Sequence, residues 1–89
     1  MEIQFTKELL RRLRSIKTRQ PRLYKKIAKQ LKLFSQDPKH PSLRVHKLKG
    51  RLEDTWSISI DESTRMLYSL FDNTALFFQI GTHDQVYKK

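Results

Sequence analysis

The sequence predicts an α+β fold, in which a short strand and two helices precede an antiparallel sheet. The first observation is the apolar period, which is close to 3.6 residues between residues 7 and 35 and close to 2 residues from residue 43 onward. The second is a pair of turn-forming segments, 61–64 and 71–74, which divide the later residues into strands. A chain of 89 residues has room for one domain, so we expect residues 1–89 to fold as a unit.

The N-terminal half predicts a strand followed by a helical hairpin. Ile3 and Phe5 alternate with polar residues, and Thr6 offers a hydroxyl that can cap a helix. We expect the helices at about 7–17 and 21–35, with Pro21 in the first turn of the second. Their apolar stripes are Leu9, Leu10, Leu13 and Ile16, and Leu23, Tyr24, Ile27, Ala28, Leu31 and Phe34. Because about three residues join them, the two helices should be antiparallel.

The C-terminal half predicts a twisted antiparallel meander of four strands. The first strand should include Leu43 and Val45, and the other three should run around 56–60, 66–70 and 76–80. By strand parity, the helices should cover an apolar sheet face made of Trp56, Ile58, Ile60, Met66, Tyr68, Leu70, Leu76, Phe78 and Ile80. The opposite face should carry Ser57, Ser59, Arg65 and Gln79, and also His83 if the last strand continues past Gly81.

Charge is the strongest signal in the composition. The chain has 19 Lys and Arg against 9 Asp and Glu, a formal net charge of +10. Residues 1–49 hold 15 of the basic side chains and 3 of the acidic ones. This excess predicts a polyanionic partner, and the candidate RNA-binding residues are Lys25, Lys29, Arg44, Lys47, Lys49 and Arg51. A solvated helix surface is the alternative interpretation for any one of them.

Several classes of function are disfavoured. The chain has no Cys, so it has no disulfide framework and no thiolate nucleophile. Its three His have no paired spacing, and we expect no metal and no cofactor. No apolar run approaches the roughly 18 residues that span a membrane, and the first residues lack the pattern of a signal peptide. We therefore expect a cytoplasmic protein that does not bind membranes.

Four side chains suit the cleavage of RNA, which requires proton transfers and neutralisation of a phosphorane. His46 and His83 can transfer protons near neutral pH, because the unperturbed pKa of His is about 6.5. Arg65 can hold the phosphate, and Tyr87 can stack on a base. Each also has a structural interpretation, since a His near a chain end is commonly a surface residue and a terminal Tyr commonly packs on a sheet edge. We interpret His40, which lies between prolines, as a loop residue.

Three segments carry a resemblance to a known family. They are His-Lys-Leu-Lys-Gly at 46–50, Arg-Met-Leu-Tyr-Ser-Leu at 65–70 and Gly-Thr-His-Asp-Gln-Val-Tyr at 81–87. With the predicted order of elements, they resemble the RelE/ParE toxin superfamily, most of all its YafQ-like branch. The resemblance covers nearly the whole chain. It implies a RelE-like fold and a toxin of a type II toxin–antitoxin pair, whose RNase members cut messenger RNA in the ribosomal A site without metal.

The resemblance also implies roles for individual residues. His46 and His83 match two histidines that flank the active groove of YafQ-like enzymes, and Tyr87 matches a C-terminal aromatic residue. Arg65 matches an Arg that RelE-like enzymes place beside the scissile phosphate.

Some catalytic groups of the family are replaced in this chain. Ser57 and Ser59 stand where RelE-like enzymes have two lysines, and Ser59 and Ser63 stand where YafQ-like enzymes have a His and an Asp. The resemblance therefore leaves the role of general base to His83 or His46.

The implied partners are an acidic antitoxin, messenger RNA and the ribosome, with operator DNA bound only through the antitoxin. The antitoxin should wrap the basic face and place a helix over the sheet or in a groove beside the helical hairpin. Two alternatives remain open from sequence. One is a non-enzymatic ParE-like inhibitor of DNA gyrase, and the other is a degenerate toxin that retains only antitoxin binding.

Overall fold

The computed structural model describes residues 1–48 and 54–87, apart from the side chains of residues 83 and 87. The elements found there are β1 (Glu2–Phe5), α1 (Lys7–Arg19), α2 (Pro21–Gln36), β2 (His46–Lys47), β3 (Thr55–Ser59), β4 (Thr64–Phe71), β5 (Thr74–Thr82) and α3 (His83–Tyr87). The predicted α+β order is confirmed. None of the helices in these ranges combines the length and apolar character needed to cross a bilayer.

Helices α1 and α2 begin where the sequence predicts and end one or two residues later. The Thr6 hydroxyl accepts a hydrogen bond of 3.2 Å from the main-chain nitrogen of Leu9, which caps α1. Gln20 lies between the helices, and its main-chain nitrogen donates 2.7 Å to the carbonyl of Ile16. Pro21 then begins α2, where the missing N–H costs nothing.

The strands form one mixed sheet in the order β1-β5-β4-β3-β2. Strands β2 to β5 are the predicted antiparallel meander, and β1 pairs with β5 in parallel. The β4–β5 turn places Asp72 at φ 45° and Asn73 at φ 62°, and these two residue types tolerate left-handed backbone. The strand predicted around Leu43 is wrong in its start, because Pro41–Leu43 form a 3-10 turn and β2 has only two residues.

The main core lies between the helical hairpin and one face of the sheet. It contains Leu9, Leu13, Ile16, Ile27, Phe34, Leu43, Ile58, Ile60, Met66, Tyr68, Ala75, Phe77 and Ile80. Three aromatic rings lie at its centre, with the Phe34 centroid 5.0 Å from that of Tyr68 and 5.5 Å from that of Phe77. Aromatic pairs at such distances add to the stability that burial provides.

A β-bulge changes the predicted face of β5. Leu67 pairs with Gln79 and Tyr68 pairs with Phe77, so Phe78 is an extra residue in β5. The residues of β5 that precede the bulge therefore face the opposite side from the one that simple alternation predicts. Phe77 and Ala75 enter the core instead of Phe78 and Leu76. Phe78 packs on the opposite face with a second apolar cluster. The prediction that Phe78 and Leu76 are core residues is wrong.

Candidate active site

The sheet face that the hairpin leaves uncovered, called the open face below, is ordered by strand register. One row across it contains His46, Ser57, Leu67 and Gln79. The next row contains Ser59, Arg65 and Gly81. Ser57 is fully buried, and His46 is exposed at the edge strand. The sequence prediction that Arg65, Ser57, Ser59 and Gln79 share a face therefore agrees with the register.

Arg65 is the best-anchored charged side chain of the open face. Its guanidinium donates to the Ser57 hydroxyl from Nε at 3.1 Å and from Nη2 at 2.9 Å. The same Nη2 donates to the main-chain carbonyl of Arg44 at 2.8 Å. Hydrogen bonds from a charged donor are stronger than neutral ones, so these contacts fix the orientation of the guanidinium plane.

The turn before β2 places the Arg44 carbonyl where it accepts the hydrogen bond from Arg65. Arg44 has φ 46°, a left-handed conformation that a non-glycine residue rarely adopts. Its main-chain nitrogen donates 3.1 Å to the carbonyl of Pro41. The buried side chain of Gln30 donates from Nε2 to the carbonyls of Ser59 at 2.9 Å and Ser42 at 3.4 Å. Helix α2 thereby holds both the end of β3 and the segment that leads to His46.

The turn before β4 is organised by Asp61. Its carboxylate accepts hydrogen bonds from the main-chain nitrogens of Ser63 at 2.9 Å and Thr64 at 2.8 Å, and lies 3.7 Å from the Lys26 ammonium. Partial burial raises the pKa of Asp61, but these hydrogen bonds and the nearby Lys26 outweigh it, and the pKa lies below its usual value. This turn leads directly into the strand that carries Arg65.

Helix α3 packs on the open face instead of extending β5. The Thr82 hydroxyl accepts from the Gln85 main-chain nitrogen at 3.2 Å, and the Gln85 side-chain oxygen accepts from the Thr82 main-chain nitrogen at 2.9 Å. This reciprocal pair is a capping box, which starts a helix at residue 83. Val86 then packs with Leu48, Leu67 and Phe78 in the second apolar cluster.

Gly81 permits this close packing of α3. A Cβ atom at residue 81 would lie 2.7 Å from Gln85 Oε1, 3.1 Å from Gln85 Cβ and 3.4 Å from Val86 Cγ1. The first two distances are shorter than ordinary contacts. Glycine at residue 81 therefore lets the helix cross the strand without displacing Gln85.

The two predicted C-terminal site residues are placed by their backbone only. His83 begins α3 and Tyr87 ends it, and both side chains lie outside the described part of the chain. The prediction that residue 83 continues the last strand is wrong, because the capping box of Thr82 and Gln85 turns the chain into a helix. That signal, a Thr followed three residues later by a Gln, is visible in the sequence.

The predicted RNA-binding residues fall into two groups. Arg44 and Lys47 are exposed beside His46, and the Lys47 ammonium lies 5.7 Å from the centroid of the Trp56 ring. Lys25 and Lys29 are exposed on α2, in the layer that covers the other sheet face. Lys49 and Arg51 lie outside the described residues. At this edge of the sheet the open face thus carries His46 and Arg65, with the Arg44 carbonyl bound to Arg65, whereas Lys47 pairs with Trp56 on the face that the hairpin covers.

An apolar groove, called the hairpin groove below, runs along α1 and α2. Its volume is about 260 Å³, and it is lined by Phe5, Leu10, Leu13, Arg14, Lys17, Tyr24, Ile27, Ala28 and Leu31. The Lys17 ammonium lies 5.7 Å from the centroid of the Tyr24 ring. Leu10, which belongs to the predicted apolar stripe of α1, lines this groove and is 38% exposed.

Solved toxin structures share this architecture. The YoeB/ParE toxin from Agrobacterium tumefaciens superposes with a TM-score of 0.79 at 19% identity, covering 93% of this chain and 99% of that one. YafQ from Escherichia coli BL21(DE3) gives 0.75 at 14% identity, covering 97% of each chain. A chain of the Escherichia coli DinJ–YafQ complex gives 0.76 at 15% identity, with the same coverage. The fold is therefore that of the RelE-like toxins, as the sequence predicts.

The family is established by sequence. A family model for YafQ, the bacterial toxin of a type II toxin–antitoxin system, matches residues 1–88. The chain therefore belongs to the YafQ family of type II toxins, and the resemblance noted in the sequence is confirmed. No curated protein sequence matches the chain.

Proposed function

We propose that this toxin is a ribosome-dependent endoribonuclease that cuts messenger RNA without a metal, using a ribose 2′-hydroxyl as the nucleophile. The observation that carries the proposal is the position of Arg65. Its guanidinium is anchored on the open face to Ser57, and Ser57 pairs across the strands with His46. An oriented cation beside an exposed imidazole suits a developing phosphorane.

The reaction needs two proton transfers and one neutralised phosphate. One His removes the proton of the 2′-hydroxyl, whose oxygen attacks the adjacent phosphorus. The bond to the 5′-oxygen then breaks, and the second His, in its protonated form, gives that oxygen a proton. We assign these transfers to His46 and His83, the phosphate contact to Arg65 and base stacking to Tyr87. The products are a 2′,3′-cyclic phosphate and a free 5′-hydroxyl.

Docking on the ribosome would use the exposed basic residues. Arg44 and Lys47 are exposed within two residues of His46 along the edge of the sheet, and we assign Lys49 and Arg51, which follow in sequence, to the same contact with ribosomal RNA. Lys25 and Lys29 belong to the helical layer and would contact a second RNA segment. Because phosphate contacts release counterions, binding should weaken steeply with salt.

The test is growth arrest and transcript cleavage on induction, with and without a chelator. His83→Ala and His46→Ala should each lower cleavage about 10²–10⁴-fold, as loss of a general acid or base does. His40→Ala is the matched control, because His40 is a loop residue whose Nδ1 lies 3.0 Å from the Ser42 hydroxyl. Undiminished cleavage by His83→Ala would remove it from the mechanism. Trapped gyrase–DNA complexes without transcript cuts would favour the ParE-like alternative.

We also propose that the hairpin groove holds an apolar helix face of the acidic antitoxin. The groove is lined by apolar residues, while Arg14 and Lys17 supply positive charge along it. The Escherichia coli relative noted above was solved as a complex of YafQ with DinJ. Charge complementarity thus favours an acidic amphipathic helix, and operator DNA would be bound only through that antitoxin.

The groove can be tested by co-expression with the product of the neighbouring short open reading frame. Leu10→Lys places a charge in the groove and should weaken the complex at least tenfold. Leu70→Lys is a close control, since 39% of Leu70 is exposed against 38% of Leu10, and Leu70 lies near the β4–β5 turn. Equal losses for the two variants would refute the assignment, and a loss confined to Leu70→Lys would place the partner over the sheet.

A further inference from the structure

The hydrogen-bond donors of Arg65 are largely committed inside the protein. A guanidinium has five N–H donors, one on Nε and two on each Nη. The Nε donor and one Nη2 donor bind the Ser57 hydroxyl at 3.1 and 2.9 Å, and Nη2 also binds the Arg44 carbonyl at 2.8 Å. Among the described residues, no protein acceptor is bound by Nη1. The two donors left for a ligand are therefore both on Nη1.

Both acceptors are rigid. Ser57 is fully buried in β3, where strand pairing on both sides fixes its backbone. The Arg44 carbonyl belongs to a left-handed residue, a conformation that costs energy and persists only where the surroundings impose it. An arginine side chain loses considerable rotamer freedom when it is ordered. Because these contacts order Arg65 in the free protein, ligand binding does not have to include that entropy loss.

We infer that Ser57 and the Arg44 carbonyl are positioning groups, which orient Arg65 so that Nη1 is the nitrogen that meets the scissile phosphate. The inference rests on the proposed function, since it assumes that Arg65 binds that phosphate. It assigns a role to Ser57, which the family resemblance shows only as the replacement of a lysine. The residue that replaces a family lysine acts on the phosphate through Arg65, and the phosphate is met end-on by one nitrogen.

A purely structural role for Ser57 makes a different prediction. If the Ser57 hydroxyl only stabilised β3 through contacts that do not involve Arg65, removing it would affect cleavage equally whether or not Arg65 is present. If Ser57 acts by orienting Arg65, its effect vanishes once the guanidinium is gone. The two roles are therefore separated by a double-mutant cycle.

The cycle compares wild type, Ser57→Ala, Arg65→Ala and the double variant in single-turnover cleavage on programmed ribosomes. Ser57→Ala should slow cleavage about 10–100-fold with Arg65 present, as misplacing a positioning group does, and less than twofold in the Arg65→Ala background. Ser59→Ala is the matched control, because Ser59 lies on the same strand and face and its hydroxyl donates 2.9 Å to the Asp61 carbonyl. It should change cleavage less than twofold. A Ser57→Ala loss of equal size in both backgrounds would overturn the inference.

A second readout does not depend on RNA. The Arg65 Nε–H should show a high NMR order parameter and slow solvent exchange in the free protein, and Ser57→Ala should lower the first and speed the second. Unchanged order in Ser57→Ala, or lost order with full cleavage, would overturn the positioning role. Absence of cleavage by the wild-type protein, with Arg65 still ordered by Ser57, would instead refute the proposed function and leave the orientation of Arg65 intact.

Discussion

The side-chain amide of Gln30 donates a hydrogen bond of 2.9 Å to the main-chain carbonyl of Ser59, which joins the helical layer to the end of β3. The same nitrogen lies 3.4 Å from the carbonyl of Ser42. Only 8% of Gln30 is exposed, and its hydrogen bond to the Ser59 carbonyl is buried, whereas the one to Ser42 is partly buried. One polar side chain in α2 thus holds the two segments that flank Arg65 and Arg44.

Gln30→Met should destabilise the protein although it keeps most of the side-chain volume. Buried carbonyls that lose a donor cost about 1–3 kcal/mol in the free energy of unfolding. Urea unfolding followed by circular dichroism measures the loss. Gln36→Met, at the exposed end of the same helix, is the control and should change stability by less than about 0.5 kcal/mol. Equal midpoints for the two variants would contradict this role for Gln30.

Gly81→Ala should displace α3 from the open face. The added Cβ would meet Gln85 at 2.7 Å and 3.1 Å, so the capping contact with Thr82 must shift. Such overpacking costs about 1–3 kcal/mol. Thermal unfolding should report that cost, and NMR shifts of residues 82–87 should report the movement. Adding Gln85→Ala removes the nearest atom and should recover part of the stability, but no recovery would place the conflict elsewhere.

How far the sequence predicts this fold is clearest at β5. Alternation in β3 and β4 predicts their faces, because regular pairing preserves parity. In β5 the same rule fails at Phe78, since a bulge is a property of the pairing between two strands and leaves no mark in either sequence.

In the candidate site, too, some features can be predicted from the sequence and others cannot. The placement of Arg65 and Ser57 on one face follows from parity, whereas the left-handed Arg44 carbonyl that completes the anchor depends on a turn that the sequence does not signal. Gln30 interrupts an apolar stripe and looks like a surface residue in the sequence. Nothing local signals its hydrogen-bond partners, because they lie 12 and 29 residues away. The helix start at residue 83 could have been predicted, since Thr82 and Gln85 have capping-box spacing.

Because of the bulge, truncating Phe77 and truncating Phe78 should lower the free energy of unfolding by different amounts. Phe77 is fully buried, with its centroid 4.9 Å from that of Tyr68, so Phe77→Ala should cost about 3–5 kcal/mol in the free energy of unfolding. Phe78 is only partly buried in the smaller cluster, and Phe78→Ala should cost less than half as much. Urea unfolding of both variants at low temperature makes the comparison. A larger cost at Phe78 would mean that β5 is paired without the bulge.

Asp61→Asn should lower stability at neutral pH by about 1 kcal/mol, and the difference should disappear in acid. The pKa of Asp61 is depressed in the folded protein, so its charge stabilises the fold above the unfolded pKa of about 3.9. That contribution is lost as the pH falls through the lower folded pKa. Urea unfolding of both proteins at pH 7, 4 and 2 follows the loss. Lys26→Met removes only the ion pair at 3.7 Å and should have the smaller effect, and a constant difference at every pH would contradict the assignment.

Substitutions at Arg44 can separate the role of its backbone from the role of its side chain. Its φ of 46° is strained for any residue with a Cβ, so Arg44→Gly should be more stable than Arg44→Ala by about 1 kcal/mol in thermal or urea unfolding. Both variants keep the carbonyl that accepts from Arg65, and both lose the exposed charge.

If the toxin docks on the ribosome as proposed, the salt dependence of that binding should fall by the same amount, about one counterion, in Arg44→Gly and Arg44→Ala. Equal stability of the two variants would show that residue 44 relaxes its backbone once the arginine is gone. A smaller slope in only one of them would show that the turn before β2, as well as the charge of Arg44, determines how the toxin contacts RNA.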